Sequence, residues 1–345
     1  MKFRSTAQPP GAPRTELCIG DEVTRQPLRA SVIGNGKMAV DCCRHLLERD
    51  AWTLSLVIAN SKRDVAPLKL ANLCAANQIK YIDAISPNER AVTDQLAECA
   101  LDYVFNINSF EILRADILGI PGIRFINFHN GPLPRYRGLN VCSWAILNGE
   151  RQYGVTWHFI EAEIDAGPII EQRMFEISHA ETAISLIAKC IRTGVDLFFE
   201  LIRDIEMNNV RTVSQVGTQS SYFSRRTIPF WGCLPFFENA LTLDRLSRAI
   251  NFFPAENTFF LPKFVFEEKV YFAECFSVDG APGILPAPGT VVDVDDERVC
   301  VATSQAMISI TTVRDRTSKL VKPEAHFSVG SKLHCQSESS SKSLC

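Results

Sequence analysis

The chain has 345 residues, 36 Lys and Arg against 39 Asp and Glu, and a formal net charge of −3. That balance gives no overall basic footprint for nucleic acid, and no apolar run approaches the ~20 residues of a membrane span. With 46% hydrophobic and 22% charged residues, it reads as an ordinary soluble chain long enough for two domains. The first ten residues lack the apolar core of a secretory signal, so the chain is expected in the cytoplasm. Its twelve cysteines are scattered without a Cys-x-x-Cys, so they read as reduced, mostly buried thiols rather than metal ligands.

Residues 1–28 carry Pro, Gly, Thr and Arg without periodicity and read as an N-terminal arm. Leu28–Ile33 is predicted as a strand ending in Gly34-Asn-Gly36, and Met38–Glu48 as a helix. Strand, Gly-x-Gly and helix suggest a dinucleotide fingerprint. Ala39 stands where its third glycine belongs, however, and no acidic residue closes the second strand, Leu54–Ile58, where Asn60 stands instead. A tight strand-to-helix turn is the simpler reading. Ala66–Asn77 is predicted helical and Tyr81–Asp83 a short strand. Ser86-Pro-Asn-Glu89 looks like a helix start, with Ser as cap and Pro at the first position. Asp102–Ile107 is the next strand, followed by the loop Asn108–Ile112.

The stretch Phe125-Ile-Asn-Phe-His-Asn-Gly-Pro-Leu-Pro-Arg-Tyr-Arg-Gly138 follows. An apolar strand delivers Asn127 and His129 to its carboxyl end, and Gly-Pro-Leu-Pro then halts regular structure. Ligands of open α/β sheets bind outside the carboxyl ends of the strands, so this polar pair is a site candidate. Asn140–Asn148 is predicted helical, and Gly154-Val-Thr-Trp-His-Phe-Ile160 a strand running towards Asp165-Ala-Gly167. A carboxylate there can orient His129 and fix its tautomer. His158, on that strand, reads as structural. Thr182–Ile205 carries apolar residues at a 3.6 period and is predicted as a long amphipathic helix. Alternation of strands and helices up to this point indicates a Rossmann-like, mostly parallel sheet.

Residues 207–230 form a polar linker, in which Ser221–Arg226 is expected near the acceptor. Leu241–Asn251 is predicted helical. Five short strands follow: Thr258–Leu261, Lys269–Phe276, Gly289–Val294, Arg298–Ala302 and Met307–Val313. They suggest a smaller C-terminal β-barrel of the OB-like type over residues 231–325. The Ser- and Lys-rich residues 326–345 are expected to be a disordered tail.

Asn-x-His, Leu-Pro-x-Tyr-x-Gly, Gly-Val-Thr and Ile-Asp-x-Gly together resemble the 10-formyltetrahydrofolate-dependent formyltransferase family, most clearly over Leu101–Ile177. The resemblance implies a catalytic domain over residues 29–206 and places Asn127, His129 and Asp165 on catalytic positions. The 36-residue separation of His129 and Asp165 fits the family. It also implies a folate co-substrate and no metal, and it sets the pterin against the loop of Ser109, Phe110 and Ile112, with Leu133 and Pro134 beside it. Arg135, Tyr136, Arg137 and Gly138 form the lip and are candidates for binding the acceptor. In formyl transfer, Asn127 can donate to the formyl oxygen, His129 can donate to that oxygen or relay the amine proton, and Asp165 can orient His129.

The resemblance implies an amine acceptor: a small amine, an aminoacyl group on a carrier, or an amino sugar. Initiator tRNA is the alternative, but residues 231–324 hold 13 acidic and 9 basic residues, which counts against phosphate contacts. A catalytically silent folate-binding or carrier-docking module is a reading of a different class.

Overall fold

The computed structural model describes residues 26–63, 67–109, 111–216, 219–280 and 283–335. Most of the N-terminal arm, Phe110 and residues 336–345 lie outside them. In chain order the first half contains β1 (Leu28–Gly34), α1 (Gly36–Leu47), β2 (Trp52–Ala59), α2 (Pro67–Ala76), β3 (Lys80–Asp83), α3 (Arg90–Glu98), β4 (Tyr103–Ile107), α4 (Ala115–Leu118) and β5 (Arg124–His129). Then come β6 (Arg137–Gly138), α5 (Val141–Leu147), β7 (Gln152–Phe159), β8 (Ile169–Glu176) and α6 (Ala183–Glu206). The main sheet runs β3-β2-β1-β4-β5-β7-β8. Its first five strands are parallel, whereas β7 and β8 are antiparallel. The fold is thus the expected Rossmann-like, mostly parallel one, with an antiparallel margin.

The central strands β1, β2, β4 and β5 bury apolar residues on both faces. Phe105, Ile126, Phe128 and Trp157 pack with α1 and α6 in the larger core. Val104, Phe125, Leu56 and Ile58 pack with α3 and α4 on the other face. Gly34 is fixed by sterics, since a Cβ there would lie 2.1 Å from the Ile107 carbonyl oxygen. The Gly34-Asn-Gly36 turn is therefore explained by close strand packing. Asn35 helps close it, its Oδ1 accepting the Asn60 N–H at 2.9 Å.

Two local expectations are corrected. Ser86 does not cap α3: its hydroxyl accepts the Asn88 N–H (3.2 Å), Glu89 reaches back to the Ser86 N–H (3.0 Å), and the helix begins only at Arg90. Thr182, by contrast, caps α6 in a reciprocal box with Ser185. The edge strand β8 went unpredicted because Ile-Ile-Glu-Gln-Arg-Met-Phe-Glu mixes charges into its alternation, as exposed edges do.

The connector contains β9 (Tyr222–Phe223), which pairs with β6. After α7 (Ala240–Ala249) come β10 (Lys263–Phe266), β11 (Lys269–Asp279), β12 (Val291–Val294), β13 (Val299–Ala302) and β14 (Met307–Asp315). They form an antiparallel sheet in the order β10-β11-β14-β13-β12, a curled OB-like half-barrel closed over its own core. The strand expected at Thr258–Leu261 lies instead at Lys263–Phe266. Phe259 turns to the domain junction, where its ring meets Trp144 at 5.3 Å. The chain also does not leave the fold at 326. Phe327 and Leu333 are buried in the C-terminal core, and His334 bridges to Val265.

Candidate active site

The side chains that matter follow from register. Asn106 of β4 pairs with Asn127 of β5, Asn127 with His158 of β7, and His129 with Thr156. Partners in register point to the same face. That face is apolar in its amino half, where Val104 and Phe125 pack under α3 and α4. The one-turn α4 lies at the amino half. The carboxyl half carries Asn106, His129, Thr156 and His158, all buried, and the half-buried Asn127.

A directional hydrogen-bond row crosses it. The Phe159 carbonyl can only accept, so His158 donates Nδ1–H to it at 2.8 Å. That leaves the ring's Nε2 facing Asn127 Nδ2 at 3.1 Å, where it accepts the amide proton. Asn127 Oδ1 in turn accepts from Asn106 Nδ2 at 2.7 Å. Both faces of the Asn127 amide are thereby fixed. His158 and Asn106 are site members that sequence reasoning missed; the signal, register across an antiparallel pair, is not readable along the chain.

His129 is 6% exposed, and its Nε2–H donates to the Tyr136 carbonyl at 2.6 Å. Its Nδ1 stands 3.5 Å from Asp165 Oδ2, while the other carboxylate oxygen lies 3.6 Å from His158 Nε2. Asp165 does not sit at a strand end. β7 stops at Phe159, and the following loop folds back over the sheet, with Asp165 in the left-handed region at φ 52°. Burial pushes its carboxyl up. The neighbouring His129 and His158 rings and the Gly138 N–H, which donates to Oδ2 at 2.8 Å, outweigh burial and hold it well below the usual carboxylate range.

The lip differs from expectation. Arg137 donates Nε–H to the Ile164 carbonyl (2.8 Å) and pairs with Glu163 (2.7 Å), so its guanidinium holds the Asp165 loop. Arg135 pairs with Glu150. Tyr136 is 3% exposed; its hydroxyl donates to Glu150 (2.8 Å) and its ring stacks on Phe223. Leu133 is buried, with its carbonyl accepting from Gln172 (2.8 Å). Pro134 is half-buried beside it. Gly138 offers its N–H. The linker also reaches the site: Gln215 donates to the carbonyls of Asp165 (3.0 Å) and Gly167 (2.6 Å), and the Ser221 hydroxyl accepts the Tyr136 N–H (2.8 Å).

Beside this row lies a shallow cleft beyond the carboxyl ends of β1 to β4. It is lined by Ile33, Asn35, Ile58, Asn60, Pro87, Ser109 and Glu111 among others. None of Asn127, His129 or Asp165 lines it; the two regions adjoin at β4. Ser109 stands where a pterin wall was expected. Ile112 is exposed, with its carbonyl accepting from Asn88 (2.9 Å). Phe110 lies outside the described residues.

With this geometry in place, comparison with known proteins is decisive. A profile of the formyl transferase family matches residues 32–202, and that of the formyl transferase C-terminal domain matches residues 232–329. The chain belongs to the formyl transferase family. Among solved structures it is similar to a sugar 3N-formyltransferase crystallised with dTDP and 5-N-formyl-tetrahydrofolate (22% identity, TM-score 0.61, covering 83% of this chain and 98% of that one). The N-formyltransferase from Helicobacter canadensis, in complex with folinic acid and dTDP-3-aminofucose, matches at 21% identity and TM-score 0.59, over 82% of this chain and 99% of that one. HypX from Aquifex aeolicus matches at 19% identity and TM-score 0.61, over 87% of this chain but 47% of its own length. At these identities the likeness is one of fold. No helix among the described residues is long and apolar enough to cross a membrane.

Proposed function

We propose that the protein is an N-formyltransferase that moves a formyl group from 10-formyltetrahydrofolate to a primary amine on a small amine, a carrier-bound aminoacyl group or an amino sugar. The observation that carries this reading is the convergence of Asn127, His129 and Asp165 at the carboxyl end of β5 in a formyl transferase domain. The folate and amino-sugar ligands of the similar structures support the donor and the acceptor class.

Acyl transfer to an amine forms one C–N bond as the formyl C–N10 bond of the folate breaks; it needs a donor to the oxygen that gains negative charge, an acceptor for the amine proton, and return of that proton to N10 as tetrahydrofolate leaves. Asn127 is the donor. One of its N–H bonds is committed to His158, and its Oδ1 is held by Asn106, so the second N–H is presented at a fixed angle. His129 is the proton acceptor. With Nε2–H given to the Tyr136 carbonyl, its free lone pair is on Nδ1, facing Asp165. A proton arriving there makes an imidazolium whose two N–H groups face a carbonyl and a carboxylate. The folate co-substrate supplies the activated formyl group; Ser109 and the cleft beside β4 would hold its ring.

The test is formyl transfer from 10-formyltetrahydrofolate to a panel of amino sugars, small amines and aminoacyl-carrier conjugates, with products read by mass spectrometry and charged initiator tRNA alongside. A formylated small or carrier-bound amine is expected. Formylation of methionyl-tRNA alone would reassign the acceptor, and folate binding without transfer to any amine would make the protein a binding module.

A further inference from the structure

Asn106 sits inside β4 between Phe105 and Ile107, both fully buried. It is itself 6% exposed, and its Oδ1 has no hydrogen-bond partner. A buried, unsatisfied amide oxygen destabilises a fold, and an apolar residue of similar volume would suit this strand better. Such a local conflict is expected where a residue serves function. The side chain makes one hydrogen bond, from Nδ2 to Asn127 Oδ1. The direction of that bond is dictated from the far end of the row. His158 gives Nδ1–H to the Phe159 carbonyl, so its Nε2 accepts from Asn127. Asn127 must then turn Oδ1 towards β4, where only a donor can meet it.

We propose that Asn106 is a positioning residue for formyl transfer: it locks the Asn127 amide in the one orientation that presents an N–H to the formyl oxygen. The proposal rests on the reading of Asn127 as the oxyanion donor. It predicts a split between stability and turnover. Asn106→Leu removes the unsatisfied Asn106 oxygen but also the donor to Asn127 Oδ1, so the two effects on stability oppose and its melting temperature should stay close to that of wild type. With only the His158 bond left to hold the Asn127 amide, kcat should fall about tenfold while KM for 10-formyltetrahydrofolate stays within twofold, the signature of lost alignment. Asn106→Asp adds a readout in pH. A carboxylate cannot donate to Asn127 Oδ1 but a protonated carboxyl can, so this variant should regain the interaction as pH falls, and Asn106→Leu should not.

The full-length chain is assayed with 10-formyltetrahydrofolate and dTDP-3-aminofucose as the probe pair. Hydrogen exchange of the Asn127 side-chain amide is followed in parallel by NMR of 15N-Asn-labelled protein, with the signal assigned by its loss in Asn127→Ala. Exchange should be about tenfold faster in Asn106→Leu than in wild type, and in Asn106→Asp should slow relative to Asn106→Leu as pH drops. If wild type does not turn over that amino sugar, the exchange ratios decide alone. Exchange within twofold of wild type in Asn106→Leu, or no pH dependence of the ratio between the two variants, overturns the proposal. If Asn127→Ala abolishes turnover while Asn106→Leu keeps it, positioning fails and the site reading stands. Wild-type turnover in Asn127→Ala removes both.

Discussion

The strand row and the loops that flank it contribute to the site in opposite ways. β4, β5 and β7 contribute side chains: Asn106, Asn127, His129 and His158 point from rigid, paired backbone into one face. The loops 133–138 and 163–167 contribute mainly main chain. The Tyr136 carbonyl orders His129, and the Gly138 N–H orders Asp165. Most of the loops' own side chains are engaged in holding them: Arg137 grips Ile164 and Glu163, and Arg135 and Tyr136 grip Glu150. Asp165 is the one loop side chain that crosses into the row. The lesson is that a motif rich in charged and aromatic side chains, here Arg-Tyr-Arg-Gly, can order its surroundings through its backbone, while the polar side chains of the proposed site stand on plain-looking strands.

The sharpest way to break this comparison is to remove a reactive side chain from each part. His129→Ala and Asp165→Ala should each lower kcat about 10²- to 10³-fold. Affinity for a folate analogue, followed by calorimetry, should change by only a few-fold, because these groups act mainly in the transition state. Turnover close to wild type in either variant would remove the pair from the mechanism.

A backbone contribution is tested next by Gly138→Ala. Gly138 has φ 95°, and a Cβ there would lie 2.2 Å from the Phe223 carbonyl oxygen. The β6–β9 pairing must shift, costing about 1–3 kcal/mol for the backbone conformation alone. The N–H that orders Asp165 should move with it. Thermal melting should show the loss, and kcat should fall alongside. Unchanged stability and turnover would mean that this N–H is dispensable.

How much of this was legible in the sequence follows the same division. The parallel strands β1, β2, β4 and β5 were readable because each is an apolar run buried on both faces, and the approach of His129 to Asp165 was readable from the motifs around them. Residues 258–266 misled because Phe259 and Phe260 look like strand residues but serve the domain junction. Phe327 and Leu333 were hidden by their Ser- and Lys-rich surroundings. His158 passed as structural because its meeting with Asn127 depends on how β5 and β7 slide against each other. The ion pairs of the lip were not readable because charge in a sequence does not reveal whether a partner lies across a loop.

The electrostatics of the one crossing side chain give a smaller effect, in pH. The Asp165 carboxyl is held below its ordinary range in the folded protein. The unfolded chain therefore takes up its proton first as pH falls, and stability is lost on acidification. Above about pH 4, the ordinary carboxylate range, the contribution is fully present. Asp165→Asn should be less stable than wild type there, and the gap in urea midpoint should narrow as pH is lowered further. A gap that stays constant with pH would mean that the carboxylate is not stabilised by His129, His158 and Gly138.

The smallest effect expected is also the one that separates a lip that binds the acceptor from a lip that holds itself. In Tyr136→Phe the ring remains, and with it the contacts to Phe223 and Tyr153, both at 5.5 Å. Only the hydroxyl is lost. It donates to Glu150 at 2.8 Å and accepts from Asn148 at 3.1 Å. Burial is the main cause that pushes this phenol up to about 12, so it stays an O–H donor across the working range. Its removal should cost about 1 kcal/mol of stability, the net worth of an ordinary hydrogen bond. The Tyr136 carbonyl, which orders His129, is untouched, so kcat and KM for the amine should both stay within twofold of wild type. A tenfold rise in KM for the amine at unchanged stability would show the opposite: the hydroxyl would then face the acceptor, and the loop would bind through its side chains as well as order the site through its backbone.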